Sequence, residues 1–312
     1  WHTAHAETIE NRHAYRLWLE GGRLFNIFFY SPAASHAIAF GGLLNNGDQL
    51  MHHLMRGFGR AERSQLVSTA TDGETFGHHH KFGEMAVAYA LHKIRQQKVA
   101  EITNYAEFLE CYPSEWEVEI RENTSWSCAH GIERWRADCG CRLDPRQGCD
   151  QKWRAVLREA LESLQADVDR VFEEGLGGLV KDPWQARNQY IQVMLDPSVE
   201  SKARFLSAVA KKTLRPEEQK KLWDLLEAEK FSLFMFTSCA WFFDDIAGLE
   251  PVQILKFALR ALELAQLYSA KDLEAPFVRI LRGAKSNVPA HGTGADIFER
   301  LVKSVSKLGA RS

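Results

Sequence analysis

Residues 64–87 read SQLVSTATDGETFGHHHKFGEMAV. The first part, residues 64–72, is apolar and β-branched with polar residues at its ends, which predicts a buried strand. Two glycines and three histidines follow, and a helical pattern begins at about residue 82. The apolar side chains along one face of this predicted helix are Phe82, Met85, Ala86, Tyr89 and Ala90. The stretch therefore predicts the order strand, turn, helix.

The same order occurs once more upstream. Residues 24–30, LFNIFFY, form a short apolar run that predicts another fully buried strand. Residues 36–58 then carry apolar side chains at helical spacing, interrupted by glycine and asparagine. Because strands that alternate with helices usually form a parallel sheet, the first part of the chain is predicted to be α/β with a parallel sheet.

The second half of the chain has a different pattern. Residues 150–176 have an apolar residue at every third or fourth position, which predicts a long amphipathic helix with Asp150 as its N-cap. Further helices are predicted over residues 183–195, 216–236, 250–268, 272–284 and 294–306. No strand pattern follows residues 116–120, WEVEI, so this half is predicted to be all-α. The predicted fold class is α/β plus all-α.

Composition and charge exclude several classes of partner. The 312 residues carry a net charge of −2, so there is no overall positive charge that would indicate binding to nucleic acid. No apolar run reaches the roughly 20 residues of a membrane span, and the first residues lack the pattern of a signal peptide. A start at Trp1 suggests a fragment of a longer chain. These features predict a cytoplasmic protein that binds neither nucleic acid nor membrane.

Four of the six cysteines lie between residues 128 and 149, which is more typical of a metal or thiol cluster than of a disulfide framework. Cys128, His130, Cys139 and Cys141 follow the pattern C-x-H-x8-C-x-C. Three thiols and an imidazole are the donors of a structural tetrahedral zinc site, and Cys149 could replace one of them. A structural zinc ion is therefore the predicted metal.

Two other interpretations of this loop stay open. The thiols and the histidine could shape the loop by packing alone. Alternatively, Arg134 and Arg136, with Trp126 and Trp135 beside them, could grip a hydroxyl-rich or acidic ligand. The histidine run 78–80 is not a predicted metal site, because positions i, i+1 and i+2 do not share one face of a helix.

Asp72 lies where the predicted strand ends and a glycine-containing turn begins. Catalytic groups of parallel α/β barrels lie at this edge of the sheet, and a partly desolvated carboxyl there is suited to general acid catalysis. The alternative is that Asp72 and Gly73 only form a turn and that Asp72 caps the next helix.

The longer stretch resembles a known family. Residues 69–87 closely resemble the fourth sequence motif of glycoside hydrolase family 57, in which an acidic residue, a small residue, a glutamate, an aromatic residue and a glycine follow a strand. Upstream, residues 22–40 are similar to the preceding strand and loop of the same incomplete (β/α)7 barrel. Residues 123–131, NTSWSCAHG, and more loosely 236–245, FTSCAWFFDD, are similar to Ser-Ser-Trp and Ser-Asp-Trp segments of family branching enzymes.

This resemblance implies a fold and a division of the chain. Residues 1–122 would be the end of the (β/α)7 barrel, residues 123–150 a connecting loop rich in Cys and Trp, and residues 151–312 a helical domain. It also implies a retaining glycoside hydrolase or α-glucan transglycosylase, in which Asp72 is the general acid/base. The implied substrate is an oligo- or polysaccharide, in particular an α-glucan, and the chemistry needs no cofactor.

Several residues are predicted to contact this substrate. Glu74 and His78 belong to the motif around Asp72, and His130 lies in the cysteine-rich loop, where a substrate role is the alternative to metal binding. Trp126 and Trp241 are predicted to stack against sugar rings, since an indole covers an apolar ring face and leaves the hydroxyls free. Asp244 and Asp245 either cap the segment that follows or hold a sugar hydroxyl.

The sequence departs from the family in one respect. A retaining glycosidase needs two carboxyls about 5–5.5 Å apart, and the family's nucleophilic glutamate and His-Gln-Pro motif are absent from residues 1–312. The nucleophile is therefore expected upstream of residue 1, in a missing N-terminal part of the barrel that would be the partner of this chain. The alternative function is a non-catalytic carbohydrate-binding or assembly module on a barrel remnant, stapled by zinc.

Overall fold

The computed structural model describes residues 8–60, 63–143 and 148–304. The chain divides into two compact units, Trp1–Glu122 and Asn123–Ser312, which we call the N-terminal unit and the helical unit. Within the described ranges, no helix is long and apolar enough to span a bilayer.

The N-terminal unit contains a three-stranded sheet of order β2-β1-β3. Its strands are β1 (Ala14–Leu19), β2 (Arg23–Phe28) and β3 (Trp116–Glu117). β1 and β2 form an antiparallel hairpin, whose turn contains Gly21 and Gly22 at positive φ. β3 pairs with β1 in parallel. The sheet is therefore mixed rather than all-parallel, because the glycine turn returns the chain directly beside β1.

Two predicted strands need correction. The strand at 24–30 exists as β2, but it lies at the edge of the sheet, and Leu24 and Phe25 are 49% and 55% exposed rather than buried. Residues 64–72, all of them described, form no strand. Leu66 N donates to Arg12 O and Ser68 O accepts from Ser31 N, so the backbone pairs with two different segments and no regular ladder forms.

The helices of the N-terminal unit are α1 (Pro32–Ala39), α2 (Gly47–Met55), α3 (Gly83–Gln97) and α4 (Tyr105–Cys111). Short 3-10 turns lie at Glu20–Gly22, Leu43–Asn45 and Gly73–Thr75. The core of this unit is small and consists of Ile38, Leu43, Leu44, Leu50, Met51, Ala86, Ala90 and Ile94.

The predicted helix after residue 82 is confirmed by α3. Its buried side differs from the predicted one: Ala86, Ala90 and Ile94 are buried, whereas Phe82 and Met85 are each 64% exposed. Ala86 and Ala90 of the predicted face are buried as expected, whereas its larger residues Phe82, Met85 and Tyr89 are exposed.

The helical unit is built around α5 (Trp153–Leu176), which packs against the helices Pro216–Phe234, Leu249–Gln266 and Glu274–Leu281. The other helices are α6 (Pro183–Gln189), α7 (Ile191–Leu195), α8 (Val199–Val209), α9 (Pro216–Phe234), α10 (Leu249–Gln266), α11 (Glu274–Leu281) and α12 (Gly294–Ile297). A π-helical segment, Phe298–Lys303, continues α12, and 3-10 turns lie at Glu133–Trp135, Ser238–Phe242 and Pro289–His291.

The long helix predicted over residues 150–176 is confirmed except at its beginning. Residues at positions i, i+3 and i+4 of α5, such as Leu157, Leu161 and Leu164, are almost completely buried. The N-cap is Lys152 and not Asp150. Asp150 Oδ1 accepts a hydrogen bond from Lys152 N at 3.1 Å. This N–H belongs to the N-cap residue itself and not to the first turn of α5, where the side chain of an N-cap residue would bind. An α/β part followed by an all-α part is the predicted fold class, and it is confirmed.

Candidate functional site

Asp72 directly precedes the 3-10 turn Gly73–Thr75, and its carbonyl oxygen accepts a hydrogen bond from Thr75 N at 3.0 Å. Thr75 is buried, and its hydroxyl shares a 2.8 Å hydrogen bond with the hydroxyl of Thr71. The carboxyl groups of Asp72 and Glu74 both belong to exposed residues. The turn is thus held by the buried Thr75, while the carboxylates of Asp72 and Glu74 lie in solvent.

The histidines extend this turn. The backbone N–H groups of His78 and His79 both donate to Glu74 O, at 3.2 and 2.9 Å. His80 has a structural contact, because its Nε2 lies 2.7 Å from Ala39 O at the end of α1. His78 is exposed, so the structure brings Asp72, Glu74 and His78 together on one exposed turn. Among the described residues nothing buries the Asp72 carboxylate, so the expected partial desolvation is not provided there.

The ligand atoms of Cys128, His130, Cys139 and Cys141 all lie within 4.8 Å of one another. Cys128 Sγ lies 3.9 Å from Cys139 Sγ and 3.8 Å from Cys141 Sγ. His130 Nδ1 lies 3.5 Å from Cys141 Sγ and 3.8 Å from Cys128 Sγ. The four residues that the spacing singles out form a cluster that could hold a metal ion.

These distances match the edges of a coordination tetrahedron. With Zn–S bonds of about 2.3 Å and a Zn–N bond of about 2.0 Å, tetrahedral angles place two sulfur atoms about 3.8 Å apart and a nitrogen about 3.5 Å from each sulfur. The S–S separations of 3.8 and 3.9 Å and the 3.5 Å from His130 Nδ1 to Cys141 Sγ agree with these values, whereas the 3.8 Å from His130 Nδ1 to Cys128 Sγ is somewhat longer. The donor set and its geometry therefore fit zinc.

The protonation of the thiols also favours a cation at this point. Burial acts to raise the pKa of Cys128, but hydrogen bonds from the backbone and ring of His130, and from the two other thiols, lower it to about 7. Burial and the neighbouring thiols Cys128 and Cys139 raise the pKa of Cys141 to about 11. These contacts therefore favour the thiolate at Cys128, and a bound cation would stabilise it further.

Two glycines give the loop its shape. Gly131 has a φ of +73°, and its N–H donates to Cys128 O at 3.0 Å, which closes the turn around His130. A Cβ atom at this position would lie 2.1 Å from Asn123 O. Gly140 has a φ of +78° and separates Cys139 from Cys141, so the backbone reverses between the two cysteines.

Two buried arginines make contacts in the cluster loop. Arg134 is a candidate from the sequence, whereas nothing in the sequence distinguishes Arg154 from other arginines. Arg134 Nη2 donates to Ser127 O at 3.0 Å, and its guanidinium lies 4.8 Å from the centroid of the Phe242 ring. Arg154 is completely buried, donates from Nη1 to Cys141 O at 3.0 Å and contacts Cys139 Sγ at 3.9 Å. Burial lowers the pKa of Arg154 from its ordinary value.

The two tryptophans that are predicted to stack on sugars lie in different environments. Trp126 is 81% exposed, two residues before Cys128. Trp241 is completely buried in the core of the helical unit, so both faces of its indole are covered by protein. A stacking role for Trp241 would require its indole to be uncovered first.

Asp245 has structural partners. Its carboxylate accepts hydrogen bonds from Ser286 Oγ at 2.9 Å, from Asn287 N at 2.6 Å and from Ala247 N at 2.8 Å. Of the two interpretations of Asp245, these contacts favour the cap. Asp244 Oδ1 likewise accepts from Leu143 N at 2.9 Å.

A second group of ionisable residues was not predicted from the sequence. Glu229 of α9 is completely buried, and its Oε2 lies 3.4 Å from Arg187 Nη1. Burial, together with the nearby carboxylate of Asp169, raises the pKa of Glu229 to about 8. Burial also raises the pKa of Asp169. Glu229 occurs in a charged, regular helical pattern, so no local signal marks it as buried.

Comparisons with known proteins place this arrangement in a wider context. The family model of a domain of unknown function, DUF3536, matches residues 150–308. No curated protein matches the chain. A novel exo-type maltose-forming amylase from Pyrococcus sp. ST04 has a similar structure, with a TM-score of 0.63 and 17% sequence identity. The match covers 86% of this chain and 50% of the amylase, so the chain spans half of the length of that protein.

The likeness to the amylase confirms the predicted fold, a partial barrel followed by a helical domain, and at 17% identity it supports the resemblance to glycoside hydrolase family 57 at the level of the fold.

Proposed function

The chain belongs to the DUF3536 family, and from this premise and its amylase-like fold we propose that it is part of a carbohydrate-active enzyme of the family 57 type. The enzyme would be a retaining glycoside hydrolase or an α-glucan transglycosylase. The observation that carries the proposal is the fold shared with a maltose-forming amylase over 86% of this chain. An α-glucan is the proposed substrate for the same reason.

Asp72 is the proposed general acid/base. It would protonate the glycosidic oxygen of the leaving sugar while a second carboxylate attacks the anomeric carbon and forms a glycosyl-enzyme. Asp72 would then remove a proton from water, or from a sugar hydroxyl in transfer. The second carboxylate is assigned to a part of the barrel outside residues 1–312. That part would also cover Asp72 and provide the desolvation that a general acid needs.

The proposed substrate contacts on the described surface are Glu74, His78 and Trp126. All three are exposed, and the first two share the turn of Asp72. Trp126 offers an indole face from the loop that carries the cysteine cluster. Trp241 is left out because its indole is enclosed by the core, and His130 is assigned to the cluster because its Nδ1 lies among the sulfur atoms.

The cysteine cluster is the proposed site of one structural zinc ion. Four protein ligands fill a tetrahedral site and leave no position for water or substrate, which distinguishes structural from catalytic zinc. The glycosidic chemistry itself needs no cofactor, because two carboxyls supply both the nucleophile and the proton. Reduced thiols of this kind are typical of the cytoplasm, where we place the protein.

A second candidate function is a non-catalytic carbohydrate-binding or assembly module. It is favoured by one observation, that Asp72 is exposed to solvent. Such a module would bind an α-glucan through Trp126 and would not turn it over.

Replacement of the acid separates the two functions. Asp72→Asn in the full-length protein keeps the shape of the turn but removes the proton donor. We expect turnover of an α-glucan to fall by about 10²–10⁴-fold, the usual contribution of acid–base catalysis. An activated aryl glycoside needs no protonation, so the variant should still release a burst of phenolate from it.

Asp48→Asn is the matched control, because Asp48 is an exposed carboxylate on α2 of the same unit. It should leave both activities unchanged. Equal losses on both substrates in Asp72→Asn would remove Asp72 from the acid role. A wild-type protein that binds α-glucan without any turnover would support the binding module instead.

A further inference from the structure

We propose that Arg154 is the buried counter-charge of an anionic metal–thiolate centre and that it couples metal binding to the folding of the helical unit. The inference rests on the zinc centre proposed above and deepens it.

Arg154 lies in the first turn of α5 and has no solvent exposure. Its hydrogen-bond partners in the described structure are two carbonyl oxygens, Cys141 O at 3.0 Å and Phe243 O at 3.4 Å, and Cys139 Sγ at 3.9 Å. Its Nε has no partner among the described residues. A full positive charge is thus buried, and its direct contacts are a thiol and two carbonyl groups. The carboxylates of Asp244 and Asp138 also attract it electrostatically, but less than a Cys139 thiolate would.

Burial of an unpaired guanidinium is strongly unfavourable. Three thiolates and a neutral imidazole around a divalent ion carry a net charge of −1, since the ion contributes +2 and the thiolates −3. The metal-loaded cluster would therefore neutralise Arg154 across the 3.9 Å contact from Nη1 to Cys139 Sγ. The N–H group would also stabilise the thiolate of Cys139, as outer partners of metal ligands commonly do.

The position of Arg154 links the cluster to the helical core. Its neighbour Trp153 is 1% exposed and belongs to the core around α5. The guanidinium itself connects Cys141 of the loop with Phe243, which lies 102 positions further along the chain (243 − 141). Removal of the metal would take away the negative charge of the cluster and leave the buried Arg154 with only the smaller attraction of the Asp244 and Asp138 carboxylates.

The test compares three full-length variants. Arg154→Gln removes the charge, Arg154→Lys keeps it, and Arg158→Gln is the control, because Arg158 lies one turn later on α5 and pairs with Glu162 away from the cluster. Zinc affinity is measured by competition with a chromogenic chelator, and melting temperature with and without excess zinc. We expect Arg154→Gln to bind zinc 10–100-fold more weakly, the usual effect of losing an outer partner, Arg154→Lys to remain within tenfold of wild type, and Arg158→Gln to match wild type.

Several results would overturn the proposal. Wild-type affinity in Arg154→Gln would exclude any role toward the metal, and equal losses in the Gln and Lys variants would show that geometry rather than charge matters. Protein that binds no zinc at all would overturn the zinc centre as well, whereas unaltered affinity in the variants would leave that centre standing. If Arg154→Gln does not fold, excess zinc must raise the melting temperature of Arg154→Lys as it does for wild type, and no effect of zinc would refute the coupling.

Discussion

Glu229 and Asp169 place two carboxyl groups near one arginine, Arg187, in the helical unit. The pKa of Glu229 is about 8 in the folded protein, above its ordinary value of 4.5, because burial disfavours the charged form. A folded pKa above the unfolded one means that the folded state holds the proton more tightly. The resulting stabilisation is fully present below pH 4.5 and is lost progressively as the pH rises to about 8.

Glu229→Gln should remove this dependence. The amide is neutral at every pH and has the same shape, so we expect the variant to be more stable than wild type above pH 8, by about 1–3 kcal/mol, the usual penalty of an unsatisfied buried polar group. Urea unfolding at several pH values between 5 and 9 measures the effect. Glu162→Gln, which changes an exposed carboxylate on α5, should keep the wild-type dependence. If the stability of Glu229→Gln depended on pH in the same way as that of wild type, the titrating group would be another residue.

The loop between residues 123 and 143 depends on its turns. Gly131→Ala and Gly140→Ala both place a Cβ at positive φ, which costs about 1–2 kcal/mol. Only the first also forces a Cβ against Asn123 O, at 2.1 Å, whereas nothing lies within 4 Å of a Cβ at Gly140. We therefore expect Gly131→Ala to weaken zinc binding more than tenfold relative to Gly140→Ala, measured by chelator competition. Equal affinities would mean that the loop adjusts around Asn123 without disturbing His130.

Elements were predictable where one physical rule decides them. α5 was predictable from the spacing of Leu157, Leu161 and Leu164, because this spacing puts all three side chains on the one face of the helix that packs into the core. The cysteine cluster was predictable in its donors, four soft ligands in one short loop, but their one-residue spacings are not the usual two to four of a zinc site. The structure shows that their ligand atoms lie within 4.8 Å of one another. β1 was not predicted, because its sequence AYRLWL has no clear alternation of apolar and polar residues. The strand is identified by its pairing with β2 across the glycine turn.

Tertiary contacts decide what the pattern leaves open. Residues 64–72 have the composition of a strand, but their hydrogen-bond partners Arg12 and Ser31 belong to different segments. The sequence predicts the same stacking role for Trp126 and Trp241, yet Trp126 is 81% exposed and Trp241 is completely buried. Arg154 cannot be told from Arg158 by its neighbours in sequence, because burial depends on the loop and on Phe243.

Loss of metal should lower the thermal stability of the helical unit, which contains the cluster. If zinc occupies the cluster, purified protein should contain about one zinc ion per chain, and chelation should lower the melting temperature of the helical unit by on the order of 10 °C. The core of the N-terminal unit contains none of the cluster residues, so its unfolding transition serves as the reference. Calorimetry with and without chelator, combined with elemental analysis, measures both effects.

Cys139→Ser should reproduce the effect of chelation, and Cys239→Ser, an exposed cysteine of the same unit outside the cluster, should not. Carefully purified protein without any metal would end the zinc assignment. A shift shared by both units would instead point to a general effect of the chelator on the protein.

The separation of the thiols has a redox consequence. Cys128 Sγ lies within 3.9 Å of two other sulfur atoms, so a disulfide would require one pair of these atoms to approach to about 2.05 Å. While a cation holds the three thiolates it also shields them from oxidants, but the metal-free cluster exposes the Cys128 thiol, whose pKa is about 7, to its neighbours. In air, loss of the metal would therefore lead to a disulfide, which removes two thiolate ligands from the site. Zinc would bind again only after a reductant had reduced this disulfide.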